Sequence, residues 1–397
     1  MRKKITVGVF TGNRAEYGLQ LPLLKALSAH PNFDYKLIVS GAHLDLDFGD
    51  TLSLIENDGF EIHETPAVRL KRDDLFSTAV AIGEGIKEIA HSLNRLKPDL
   101  VAVYADRFEG FAAVVAASQM NIPVIHIEGG DLTEGGALDD SIRHAMTKLS
   151  HIHFTTNEEA YERVLKLGEE PWRVCNVGLP SIDLILEKNY SDKDTILERY
   201  RLTLDRPIVL FTLHSVTTAF EQAQEQIKKA LGALEKLANE GCQVLITYPN
   251  NDAGGRVIID HILKFQEKNL KNIQIHKSLG MKNYHGVLAL AQRIDAKVVC
   301  VGNSSSGLKE TAIFHCPVVN IGSRQDGRLR GENVFDCSNE SDDIYRSVNY
   351  VLNSKEFQEI CKKAKNPYGN GGSGEKMVDF LAKIEINKKL IQKKMTY

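Results

Sequence analysis

Little in this sequence points to a membrane, a nucleic acid, a metal or an oxidising compartment. Its longest apolar runs, such as residues 111–117, are far too short to span a bilayer. Lysine and arginine number 49 against 52 acidic residues, a net charge of −3. No global basic field therefore awaits a nucleic acid, and an anionic ligand must be met by local positive groups. The six cysteines (Cys175, Cys242, Cys300, Cys316, Cys337, Cys361) include no C-x-x-C pair and no zinc-like spacing, which predicts buried free thiols in a reducing compartment. The N-terminus is basic, but its apolar run ends at a glycine turn and an arginine, the form of a first β-strand rather than a signal peptide. G-x-G-x-x-G is missing after that strand, which removes the dinucleotide fingerprint. Nothing repeats at a period of about 20–50 residues, which speaks against a solenoid. The expectation is a cytoplasmic protein with no metal or organic cofactor and with neither nucleic acid nor membrane as partner.

What is present fits an α/β protein of two domains. At 397 residues the chain exceeds what one core holds, since single cores stop growing near roughly 250–300 residues. Short apolar runs alternate with longer segments of helical period, the mark of βαβ units around parallel sheets. Strands are predicted at 5–10, 35–39, 100–104, 124–127 and 152–155, with helices at 21–29, 75–96 and 108–120. After a break at Gly178-Leu-Pro180 and a charged stretch to Asp205, a second series is predicted, with strands at 207–212, 243–247, 273–276, 297–301 and 318–321. Helices are predicted there at 219–238 and 308–314. The tail carries a turn-rich hinge at 366–374, then a helical pattern with Met377, Phe380, Leu381 and Ile384 on one face. This predicts a first Rossmann-like domain over 1–180, a second over 181–374, and a terminal helix in 375–397 that packs back on the first. In such sheets ligands bind beyond the carboxyl ends of the strands, so chemistry is sought in the loops there.

Several of those loops carry suitable groups. Arg14 follows the first strand at a helix start, where backbone N–H groups and a guanidinium suit a diphosphate. Asp106 and Arg107 follow the third predicted strand, either as an ion pair and helix cap or as working groups. Glu128 follows the next strand before a diglycine, which lets a backbone approach a ligand closely. Asp139 or Asp140 can cap the helix that carries Arg143. Together Asp106, Glu128 and Asp139 can reach one rim, as proton transfer at a carbon centre requires. In the second half His214 lies just past a strand. Three consecutive serines inside Gly302-Asn-Ser-Ser-Ser-Gly307 exceed what one N-cap needs and make a phosphate cradle. Glu310, one turn on, is placed to accept ribose hydroxyls, and Arg324 after the next strand to neutralise phosphates.

Taken in order, the motifs resemble the hydrolysing UDP-N-acetylglucosamine 2-epimerase family. The matching pieces in the first half are Gly12-Asn-Arg-Ala-Glu-Tyr17, Ser40-Gly-Ala-His-Leu44, Asp106-Arg107, His126-Ile-Glu-Gly-Gly130 and Asp139-Asp-Ser-Ile-Arg-His144. In the second half they are His214-Ser-Val-Thr-Thr218, Pro249-Asn-Asn-Asp-Ala-Gly254, Gly302-Asn-Ser-Ser305, Gly322-Ser-Arg-Gln325 and Gly331-Glu-Asn-Val334. The resemblance implies a GT-B type α/β fold, two Rossmann-like domains with parallel sheets facing a central cleft. It implies UDP binding by Arg14, Ser304, Ser305, Glu310 and Arg324, and catalysis by Asp106, Glu128, Asp139 and His214. Arg107, Arg143 and Asn250 would line the sugar and phosphate pocket. A homodimer or homotetramer is implied as well.

Within the family, non-hydrolysing members open with Gly-Thr-Arg-Pro-Glu-Ala, whereas this chain has no proline there and has Asp-Ser-Ile-Arg-His where they carry Glu-Glu-x-Asn-Arg. The hydrolysing branch is therefore expected, acting on UDP-N-acetylglucosamine. The glycine-bearing loop 131–138 is longer than in the sialic-acid enzymes and leaves room for a substituent at carbon 4. That keeps UDP-N,N'-diacetylbacillosamine open as the alternative. A glycosyltransferase on the same scaffold and a non-catalytic nucleotide-sugar sensor are the rival readings.

Overall fold

The computed structural model describes residues 4–44, 51–70, 74–132, 138–216, 221–249 and 254–397. Two compact units emerge, one built from Met1–Leu132, Leu138–Asp183 and Tyr368–Tyr397, the other from Leu184–Pro367.

The first unit holds seven parallel strands: β1 Ile5–Thr11, β2 Phe33–Val39, β3 Ile62–Glu64, β4 Leu100–Tyr104, β5 Val124–Ile127, β6 Ile152–Thr155 and β7 Val174–Asn176. Their order in the sheet is β3-β2-β1-β4-β5-β6-β7, with Val7 opposite Leu100 at the β1–β4 pair. The strand order reverses between β1 and β4, and that switch point is where open α/β sheets receive ligands. Every residue of β4, β5 and β6 is buried, as expected for strands covered on both faces. The first helix runs over Arg14–Ala29, not from residue 21. Gly18 and Pro22 blur its apolar period in sequence, but Asn13 caps it by accepting the Glu16 N–H at 3.0 Å. β3 and β7 escaped the sequence reading because three residues give no readable period.

The second unit has six parallel strands: β8 Ile208–Thr212, β9 Gln243–Thr247, β10 Ile273–His276, β11 Val298–Gly302, β12 Val318–Ile321 and β13 Val334–Cys337. They lie in the order β10-β9-β8-β11-β12-β13, so this switch point falls between β8 and β11. Alternate residues feed two separate cores: Val209, Phe211, Val299 and Val301 pack on one side, Ile208, Leu210, Val298 and Cys300 on the other. The helix expected at 308–314 is instead a short helix Ser305–Lys309 followed by a 3-10 turn Thr311–Phe314, the break falling at Glu310 with φ −117. Helices Ser341–Asn353 and Lys355–Lys363, not foreseen, cover the Val299 face.

The charged stretch after residue 180 contains helices Ser181–Leu186 and Lys193–Arg199. The tail belongs with the first unit. Asp183 accepts hydrogen bonds from the N–H and Oγ of Ser373 at 3.1 and 2.8 Å and from the Gly374 N–H at 3.0 Å, starting helix Ser373–Leu381. Gly374 lies so close to helix Arg14–Ala29 that a Cβ would stand 2.4 Å from the Pro22 carbonyl. All six cysteines are free; four are buried, while Cys175 and Cys337 are only half-buried, which corrects the uniform burial expected. Among the described residues no helix is long and apolar enough to cross a membrane.

Candidate active site

In the first unit the loops beyond β1, β4 and β5 gather an unusual density of charge. Two non-glycine residues there take left-handed backbone conformations, Ala105 at φ +56 and Glu128 at φ +66. Such strain persists only where surroundings enforce it, and it concentrates at working sites. Ala105 is held by its N–H donating to the Ile127 carbonyl at 2.9 Å and by its own carbonyl, 2.7 Å from His126 Nε2. His126 is fully buried, and burial pushes its pKa down to about 3. The ring is therefore neutral and donates through Nε2 to Ala105, with Nδ1 3.0 Å from the Thr147 hydroxyl. This fixes the turn that delivers Asp106 and Arg107. Glu128 N–H donates to Phe154 O at 2.8 Å, and the residue is 6% exposed.

Arg143 holds these acids together. It lies in helix Leu138–Leu149 and is 1% exposed. Its guanidinium pairs with the Asp106 carboxylate and lies 3.5 Å from Asp140 Oδ1. Burial works against its charge, but Asp106, Asp131, Glu128 and Asp140 outweigh that and raise its pKa. A buried guanidinium amid four carboxylates offsets part of the repulsion among them. Arg143 is thus the buried counter-ion of these acids. Asp139 shares the first turn of the same helix and is half-buried, whereas Asp140 is buried. Arg107 Nε lies 3.5 Å from Glu109 Oε2, and Arg14 stands exposed in the first turn of its helix.

Beneath this rim a second pair of acids crosses the switch point. Glu16 Oε2 accepts the Gly12 N–H at 2.9 Å, one residue before the Asn13 cap that receives the Glu16 N–H, a variant of the capping box. Its Oε1 is buried without a hydrogen-bond partner among the described residues. Glu109, 2% exposed, packs so close that a Cβ on Gly12 would meet it at 2.9 Å. Burial first, then the charge of Glu109, raise the Glu16 pKa to about 8 from an ordinary 4.5. Between those values the folded chain keeps a proton that the unfolded chain has released, so this group lowers stability as pH rises through the window. Glu16→Gln is expected to raise the melting temperature at about pH 8.5 and to change it little near about pH 4. An equal shift at both values, followed by circular dichroism, would contradict a protonated Glu16.

In the second unit Asn303 is the organising residue. Its side chain clasps the backbone of His214, accepting the N–H at 2.7 Å and donating to the carbonyl at 2.9 Å. Its own carbonyl accepts Arg324 Nη1 at 3.1 Å and Gln325 Nε2 at 2.8 Å. One asparagine thus ties together the ends of β8, β11 and β12. Gly302 makes the clasp possible: at φ +133 it faces Thr212 in register, and a Cβ there would lie 1.8 Å from the Thr212 carbonyl. Ser304 occupies the N-cap position of its helix but makes no side-chain cap bond. Its hydroxyl instead lies 3.0 Å from Ser306 Oγ, so the bare N-cap explanation for these serines fails. Ser304 and Ser305 are half-buried, and Glu310 is buried with Oε2 3.0 Å from His285 Nε2.

The structure therefore brings Asp106, Glu128 and Arg143 together in the first unit, with Asp139 on the same helix as Arg143. His214, Ser304, Ser305 and Arg324 are joined around Asn303 in the second. Asn250 and loop residues 133–137 lie outside the described residues. Sequence reasoning missed Glu16, Glu109, Asp131, Asn303 and Gln325 as site-building groups. Glu16 left the N-x-x-E spacing of a capping box, and Asn303 and Gln325 stand inside the quoted Gly302-Asn-Ser-Ser305 and Gly322-Ser-Arg-Gln325 motifs.

A family model described as UDP-N-acetylglucosamine 2-epimerase matches residues 25–382. A Legionella pneumophila protein, UDP-N,N'-diacetylbacillosamine 2-epimerase (hydrolyzing), is 33% identical over 387 residues, covering 98% of each chain. A Campylobacter jejuni GDP/UDP-N,N'-diacetylbacillosamine 2-epimerase (hydrolyzing) is 33% identical, covering 90% of this chain and 89% of its own. In fold the chain is similar to the Neisseria meningitidis UDP-GlcNAc 2-epimerase bound to UDP-GlcNAc, with a TM-score of 0.80 at 20% identity, over 96% of this chain and all of that one. The GT-B type fold class follows from that likeness and from the two parallel sheets. A continuous match from residue 25 into the tail helix, with the strand-end groups in place, makes this chain a member of the UDP-N-acetylglucosamine 2-epimerase family.

Proposed function

We propose that this enzyme hydrolyses a UDP-linked 2-acetamido sugar with inversion at carbon 2, releasing UDP and a free manno-configured sugar. The observation that carries the reading is the set of carboxylates around buried Arg143 at the ends of β4 and β5. Four acids around one guanidinium leave an excess of negative charge that repels a diphosphate ligand, so a rim built of them is explained by proton transfer rather than by binding. In the proposed reaction a carboxylate takes the C2 proton and the C–H electrons form the C1–C2 double bond. The anomeric C–O pair leaves with UDP. Water then adds syn across the resulting 2-acetamidoglucal, its oxygen to C1 and a proton to C2 on the face that gives the manno product.

Asp106, Glu128 and Asp139 supply the acid and base roles, and His214 serves the departing phosphate. Arg14, Arg324 and the hydroxyls of Ser304 and Ser305 stabilise the charge that develops on the leaving group. Arg107 and Asn250 line the sugar side, and Glu310 accepts ribose hydroxyls. The 4-acetamido sugar UDP-N,N'-diacetylbacillosamine stands beside UDP-N-acetylglucosamine as substrate, favoured by the names of the two relatives at 33% identity. Either product feeds nonulosonic acid synthesis in the cytoplasm, and the enzyme works as a homodimer or homotetramer.

Incubation with each UDP-sugar in D2O, followed by proton and phosphorus NMR, tests this. Free UDP with a manno sugar deuterated at C2 is expected, and the faster substrate identifies the sugar. Intact substrate in both tubes despite UDP binding would discard the reading in favour of a transferase or a sensor.

A further inference from the structure

Helix Gly280–Ala289 sends two neighbouring side chains to the serine loop and to Glu310. Tyr284 Oη lies 2.9 Å from Ser306 Oγ, itself 3.0 Å from Ser304 Oγ. His285 Nε2 lies 3.0 Å from Glu310 Oε2. The His285 ring is 1% exposed and packs against Phe314 and Tyr284, with centroids 5.7 and 6.2 Å away, so its orientation is set by packing. Because a carboxylate only accepts, Nε2 carries the proton and donates it to Glu310. Among the described residues the other ring nitrogen, Nδ1, is buried with no hydrogen-bond partner. An unpaired polar atom in such a place is costly, and an apolar side chain would fill it more cheaply. A histidine here is explained if its one bond matters.

We propose that His285 is a positioning residue for nucleotide recognition: by holding Oε2 it fixes the rotamer of Glu310 and aims the carboxylate at the ribose hydroxyls. This rests on the reading of Glu310 as the ribose acceptor. His285 itself touches no ligand. Glu310 sits at the break between two short helical turns, its N–H donating to Ser306 O at 3.0 Å and its carbonyl accepting from the Ile313 N–H at 3.2 Å. These bonds hold the backbone but not the side-chain torsions, so an external clamp on the carboxylate has a task to perform.

Affinities of full-length wild type, His285→Met, His285→Gln and Glu310→Gln for UDP and for 2′,3′-dideoxy-UDP decide the matter, with thermal melts to confirm folding. His285→Met is expected to weaken UDP about tenfold, the scale of one charge-assisted hydrogen bond, and to leave the dideoxy compound unchanged. KM should rise with kcat nearly constant, and His285→Gln, which restores an N–H donor, should recover much of the preference. His285→Leu serves as second apolar replacement should His285→Met fail to fold. Equal loss for both nucleotides, or no loss, in the apolar variants while Glu310→Gln abolishes the ribose preference would overturn the clamp. A Glu310→Gln variant that keeps the full preference would instead overturn the ribose reading beneath it.

Discussion

Asp106→Asn is expected to lower kcat about 10²- to 10⁴-fold, the range that a positioned acid or base contributes, while UDP affinity stays within about twofold. The separation follows from where the groups lie. Asp106 stands at the end of β4 in the first unit, against Arg143, whereas the proposed nucleotide groups other than Arg14, namely Ser304, Ser305, Glu310 and Arg324, belong to the second unit. Asparagine keeps the shape of the side chain and can still accept from Arg143. Arg143 also remains faced by Asp131, Glu128 and Asp140, so the guanidinium is not left uncompensated and the fold should survive. Steady-state kinetics with calorimetric UDP binding checks both halves. Unchanged turnover would remove Asp106 from the chemistry, and a matching loss of UDP binding would place it in nucleotide recognition instead.

Glu169→Gln is expected to destabilise the first unit by about 3–5 kcal/mol, the cost of leaving buried charge without its partner. Glu169 is fully shielded at its carboxylate and receives Lys148 Nζ at 2.6 Å, Lys393 Nζ at 2.7 Å and His153 Nε2 at 3.0 Å. Burial alone would raise its pKa, but the bonds from His153, Lys148 and Lys393 prevail and carry it down to about 2. Lys393 is nonetheless drawn down to about 8, because its desolvation exceeds what a share of one carboxylate returns. Without Glu169 that lysine can shed its proton, which favours the lower end of the range. The cost reaches beyond the cluster. Lys393 Nζ also donates to the carbonyls of Lys148 at 2.9 Å and Ser150 at 2.6 Å, at the end of the helix that carries Asp139 and Arg143. A cation at a helix C-terminus is favourable, so the tail braces the helix on which the rim is built.

The pH signature distinguishes this cluster from simple packing. Glu169 has a folded pKa below its unfolded 4.5, so its stabilisation is present above about 4.5 and is lost as pH falls through about 2. Denaturant melts of the wild type should therefore show an acid decline that Glu169→Gln lacks in part. The remaining decline includes the contributions of His43, His151 and His153, each held near 4 by burial, and of His126, held near 3. Each unfolds with proton uptake below about 6.5 and so weakens the fold as pH falls toward 4. An acid limb identical in variant and wild type would contradict the assignment of Glu169.

Much of the fold was legible because its signals are local. Leu100–Tyr104, Val124–Ile127, Ile152–Thr155, Gln243–Thr247, Ile273–His276 and Val318–Ile321 appear within their expected bounds, since short apolar runs between helical segments need no tertiary context to read. The candidate groups were legible for the same reason: strand ends and the loops after them are where such sheets expose function. The edge strands Ile62–Glu64, Val174–Asn176 and Val334–Cys337 were not, being too short or too exposed to show a pattern.

The sequence by itself determined the α/β class, the family and the identity of the acids, arginines and serines at the strand ends. Tertiary structure alone decided what those groups do to one another. It buried Arg143 among four carboxylates, pressed Glu16 against Glu109, and made Asn303 the clasp of His214. It also carried Lys393 back across 243 positions to Ser150. The physical reason is range. Strand periodicity and turn chemistry act over a few residues, whereas desolvation and charge pairing depend on which distant side chains share the same volume, and only the completed sheet order fixes that.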